Sequence, residues 1–134
     1  MQNRRAFLGF ILLMNGIVDI LCAAVLLILP RLKVPLFGYE IFDLQGAFMA
    51  GGWGIATLAI GVTRIYTSKR PEYHGAMLLM GVVEGIYLAI FSITCFCFTR
   101  TTITQALLPL MVGCIFGTSY LICMIRWGKK QQQI

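Results

Sequence analysis

The sequence predicts an all-α, polytopic membrane protein: a four-transmembrane-helix bundle forming a single transmembrane domain over residues 1–134. Three observations predict it. Of the 134 residues, 59% are hydrophobic and 12% charged, against about 45–50% and about 25% in soluble domains. Four apolar runs have the roughly 20 residues a helix needs to cross the hydrocarbon. The Lys and Arg residues gather between those runs. A soluble fold this small leaves too much of its surface in water to hide so many apolar side chains.

The first run is Ala6 to Leu29, closed by Pro30. Arg4 and Arg5 precede it, as they would a signal peptide. The run is too long for a signal core, however, and carries Asp19 at its middle. The second run is Leu44 to Thr63, the third Gly75 to Phe98, and the fourth Gln105 to Ile125. Lipid supplies no hydrogen-bond partners, so each run must satisfy its own backbone as a helix.

Orientation follows from the loop cations. In a four-span arrangement Arg4, Arg5, Arg64, Lys69, Arg70, Arg126, Lys129 and Lys130 share one side, and Arg31, Lys33 and Arg100 the other. Eight against three predicts both termini on the cytoplasmic side. Glu40 and Asp43 offset Arg31 and Lys33 in the first loop. That loop, Arg31 to Asp43, has an apolar interior and Tyr39, and is expected to lie on the outer membrane surface. Tyr66, Tyr73 and Trp127 suit the inner headgroup level. The net charge of +6 is thereby a membrane-orientation signal, and no nucleic acid partner is expected.

Shifting the chain by 65 residues aligns Gly16 with Gly81, Asp19 with Glu84 and Gly52 with Gly117. The match predicts two parallel helical-hairpin repeats.

Asp19 and Glu84 carry the chemistry. A carboxylate at mid-membrane costs about 2.5–3.5 kcal/mol on the insertion scale, so it marks a function or finds a fixed partner. Asn15, Asp19 and Cys22 share a helix face, as do Glu84, Tyr87 and Phe91. The hydropathy boundaries leave no Lys or Arg at mid-depth to pair with them. One reading is a proton or cation site of interacting carboxyls. The other is structural, with a protonated acid bonded to Thr57, Thr118, Ser119 or Tyr120. His74, the sole histidine, reads as an interfacial polar residue or a headgroup contact. It makes no metal site alone. The five cysteines lack zinc spacing and read as packing residues. No cofactor is implied.

Small residues recur at packing spacing. Gly46, Ala50 and Gly54 form one series, and Gly113 and Gly117 another. Such residues let helix backbones approach, within the chain or against another protein. No phosphate-binding loop, dinucleotide fingerprint, zinc-protease motif or catalytic triad occurs, so the chain is not expected to be an enzyme.

The glycine-centred first helix ended by Pro30, followed by Leu44-Gln45-Gly46-Ala47-Phe48 and Gly51-Gly52-Trp53-Gly54, resembles the DoxX-like small four-helix membrane proteins. Leu44-Gln45, Trp53, Tyr73-His74 and Leu108-Pro109-Leu110-Met111-Val112 are similar to the four-helix scaffold family of ergosterol biosynthesis. The spacing from Trp53 to Arg64 departs from that second pattern. Both resemblances imply a helper role without catalytic residues. The expected function is a scaffold or non-catalytic subunit packing against other membrane proteins or itself within the lipid bilayer. The alternatives are an oligomeric transporter using Asp19 and Glu84, and a lipid- or sterol-binding protein.

Overall fold

Helix boundaries in this chain are set by local capping chemistry. The computed structural model describes residues 2–30, 32, 43–98 and 102–131. They form helices α1 (Gln2–Ile28), α2 (Leu44–Ser68), α3 (His74–Phe98) and α4 (Ile103–Gln131), with one 3-10 turn, Pro71–Tyr73. No strand occurs among the described residues, and four of the helices are long and apolar enough to cross a membrane. Most of the first loop, Tyr39 included, lies outside the described residues, as do Arg100 and the side chain of Trp127.

Asp43 starts α2. Its Oδ1 accepts a hydrogen bond from the Gly46 amide at 3.1 Å, satisfying an N–H that the first turn leaves without a partner. Thr102 and Gln105 start α4 as half of a capping box, with the Thr102 amide donating to Gln105 Oε1 at 2.8 Å. Pro109 sits inside α4 and brings no N–H for the Gln105 carbonyl.

Helix α2 ends five residues beyond Thr63, the boundary expected from hydropathy. The stop comes from Pro71, whose ring disfavours helical geometry in the residue before it. Arg70 accordingly leaves the helix, with φ −122° and ψ 88°. Its amide closes the last turn on the Thr67 carbonyl at 2.9 Å.

The described contacts divide the chain into two compact units. One is Leu13–Tyr66; the other combines Met1–Leu12 with Thr67–Ile134. In the first unit, α1 and α2 pack antiparallel with their backbones closest at two glycines. A Cβ built on Gly16 would lie 2.8 Å from the Gly61 carbonyl oxygen, and one on Gly61 would lie 2.9 Å from the Gly16 oxygen. Nearer the other end, Gly54 meets Leu27, whose Cγ would lie 2.8 Å from an added Cβ.

The second unit is an antiparallel hairpin of α3 and α4 with the first turns of α1 laid against it. Gly85 faces Gly117 and Gly113 across the hairpin, and the Tyr120 ring fills the place where Gly81 lacks a side chain. Leu8, Ile11 and Leu12 join Leu78, Val82 and Tyr120 in one buried cluster. Each fully buried side chain of this size removes about 1.5–3 kcal/mol of apolar exposure from water, and less where the alternative is lipid.

The close approaches do not recur at the 65-residue shift. That shift maps Gly16 and Gly61 onto Gly81 and Arg126, yet Gly81 meets Tyr120. The helices of the two hairpins are paired in different registers, so the sequence echo is not an echo of packing.

Candidate functional site

The polar centre of the first unit is an ion pair. Arg64 Nη1 donates to Asp19 Oδ2 at 2.5 Å. Arg64 is 1% exposed and Asp19 6%, so both charges are out of solvent. Two helices place them there. Asp19 stands one turn after Gly16 on α1, and Arg64 one turn after Gly61 on α2. The contact of those glycines brings the two backbones close enough for the side chains to meet.

This corrects the expectation that no basic residue is available to a membrane carboxyl. Hydropathy ends the second span at Thr63 because Thr-Arg reads as loop. The helix continues, and its backbone carries Arg64 inward. An arginine near a helix end ordinarily extends its stem toward water; this one turns to Asp19. Asn15, one turn before Asp19, is also buried, at 3% exposure. The alternative partners are committed elsewhere. Thr57, Thr118 and Ser119 each donate their hydroxyl proton to a carbonyl of their own helix, those of Trp53, Cys114 and Ile115. Tyr120 is buried against Gly81.

Glu84 lies in the other compact unit, half-buried on α3. Tyr87, on the same face, is 70% exposed, and Phe91 points outward as well.

His74 is enclosed instead of open to a headgroup. It is 1% exposed, its Nε2 lies 3.3 Å from the Ser68 carbonyl oxygen, and its Nδ1 has no hydrogen-bond partner among the described residues. Gly9 is the cause. With no side chain there, α1 closes onto the Ser68 carbonyl and the His74 ring.

The small residues separate into an inward and an outward set. Ala50 and Gly54 are buried and Gly46 half-buried, with Gly54 spent on Leu26 and Leu27. Gly113 and Gly117 are spent on Gly85. A second row on α2 stays outward: Gly52, Ala56, Ala59 and Thr63 are all exposed. Nothing lies within 4 Å of a Cβ built on Gly52. The sequence reading passed over this row. Its signal was the same small-residue spacing one ridge away from the Gly46 series.

None of the five cysteines is in a disulfide. Among the described residues no group of three or more His, Cys, Asp or Glu is placed to hold a metal. Compared with known proteins, the chain matches no family model, no curated protein and no solved structure.

Proposed function

We propose that this chain is a small multi-pass integral membrane protein, with both termini on the cytoplasmic side, that works as a non-catalytic subunit or scaffold by packing α2 against another membrane protein. The observation that carries the reading is the outward row Gly52, Ala56, Ala59 and Thr63. A helix facing only lipid has no use for small residues in register, because large aliphatic side chains fill that solvent equally well. A row of small residues lets a second backbone come close, which is how helices gain contact in a medium without a hydrophobic drive between them. The internal contacts of the first unit use other glycines, so this row is left for a neighbour.

The Asp19–Arg64 pair supports the same reading. Its formal charges cancel, and the carboxyl already holds a cation of the protein's own. A carboxyl engaged in this way suits a fixed strut better than a carrier of protons or cations.

The test is a double substitution, Gly52→Leu with Ala56→Leu, in protein taken from its own membrane in mild detergent. The expected result is loss of co-purifying polypeptides with no loss of resistance to unfolding. A complex of undiminished mass would sink the proposal. Cation flux through vesicles holding the chain alone, abolished by Asp19→Asn, would replace it with the transport reading.

A further inference from the structure

The helix ends of the second compact unit assemble a basic rim. Helices α3 and α4 run antiparallel, with Gly81 on Tyr120 and Gly85 on Gly117. That register sets the start of α3 beside the last turns of α4, which carry Arg126, Lys129 and Lys130. Gly9 rests on Ser68 and His74, so the first turn of α1, with Arg4 and Arg5, sits at the same end, one turn or about 6 Å beyond Gly9. The turn between α2 and α3 adds Lys69 and Arg70, both exposed. These segments together carry seven basic residues and a single acid, Glu72. In the sequence, the segment joining α3 to α4 carries one basic residue, Arg100.

We propose that this rim binds the headgroups of anionic lipids in the leaflet it faces; the inference rests on the membrane reading above. Charge complementarity is one argument. Juxtamembrane clusters of four to eight Lys and Arg attract anionic lipid, each residue giving about a fivefold preference. Depth is the other. Every one of these residues lies within a few residues of the end of an apolar span, and the exposed ring of Tyr73 marks headgroup level beside them. Basic residues at that position along the spans, spread over three chain segments, lie at the level of lipid phosphates in a bilayer. A nucleic acid or an acidic protein would need a basic surface that stands clear of the bilayer.

The experiment reconstitutes the full chain in vesicles of phosphatidylcholine mixed with phosphatidylserine, extracts it gently, and measures retained lipids by native mass spectrometry. The expected result is several-fold enrichment of phosphatidylserine over its bulk share, falling as salt rises. Enrichment should drop toward the bulk ratio when Lys69, Lys129 and Lys130 are replaced by Gln, and persist when they are replaced by Arg. Retention at the bulk ratio in the unaltered chain overturns the proposal. So does enrichment indifferent to both salt and the Gln substitutions, or its displacement by equimolar inorganic phosphate, which would mean a site for soluble anions. Alkaline washing of the vesicles separates the two readings. A chain that washes off fails the membrane reading itself; a chain that stays inserted without enrichment fails this one only.

Discussion

Arg64 and Asp19 sit on facing antiparallel helices and meet with 2.5 Å between Nη1 and Oδ2, across the contact of Gly16 with Gly61, where Arg64 lies against Gly16 and Asp19 against Gly61. The glycine contact and the ion pair depend on each other. Without the close approach the guanidinium falls short of the carboxylate. Without the pair, each charged group is buried with no counter-charge beside it, at a cost of several kcal/mol.

Removing one partner is therefore worse than removing both. Asp19→Leu leaves an arginine buried with no counterion, at a cost of about 3–5 kcal/mol. Asp19→Leu with Arg64→Met replaces the pair by apolar groups of similar size and should regain most of that loss. Unfolding by SDS in mixed micelles, followed by circular dichroism, measures both variants. Equal stability of the single and double variants would show that the pair carries no structural weight.

Two glycines on different faces give opposite expectations for the same substitution. Gly81→Ala drives a methyl group into the Tyr120 ring, which is wholly buried and has nowhere to turn. The expected loss is about 1–3 kcal/mol, as for other overpacked cores. Gly52→Ala adds a methyl group in open space and removes a helix-weakening residue, for a gain of about 0.5–1 kcal/mol. The same SDS titration ranks the two against the unaltered chain. A Gly81→Ala variant as stable as Gly52→Ala would contradict the packing of α3 on α4.

These contrasts mark what the sequence could and could not tell. The four helices were legible because each is a long apolar run, and such a run, where it crosses lipid, satisfies its backbone as a helix. The end of α2 was misplaced because hydropathy treats Thr63-Arg64 as a boundary, whereas the true stop is stereochemical and sits at Pro71. That error hid the ion pair, whose partners are 45 residues apart in sequence. Asp19 stood out as a residue in need of a partner; only the register of α1 on α2 names Arg64. His74 shows the same limit. Its position at the start of α3 was readable, but its enclosure depends on Gly9, a residue remote in sequence whose effect is to leave room.

The cap on α2 is open to a narrower test. Asp43→Ala removes the acceptor for the Gly46 amide and should cost about 1 kcal/mol. Asp43→Ser keeps an oxygen at that position and should cost less than half as much. Amide exchange at the first turn of α2, measured on protein in detergent, is expected to rise in the Ala variant and stay near its original rate in the Ser variant. Identical exchange in all three would mean that the first turn is held by something other than the cap.

Orientation offers the last test, and the ion pair sharpens it. With Arg64 engaged by Asp19, it drops out of the count of headgroup-facing cations. In a four-span arrangement seven Lys and Arg then share the side of the termini, against Arg31, Lys33 and Arg100 on the other. The bias survives, so the termini should still face the cytoplasm. Lys69→Cys and Arg100→Cys, each built into a chain whose own five cysteines are replaced, report the two sides separately. In sealed vesicles with the cytoplasmic face outward, a membrane-impermeant maleimide should label the first and not the second until detergent is added. The reverse pattern would invert the topology, and would also place the basic rim on the leaflet poorer in anionic lipid, where its charges would have little to bind.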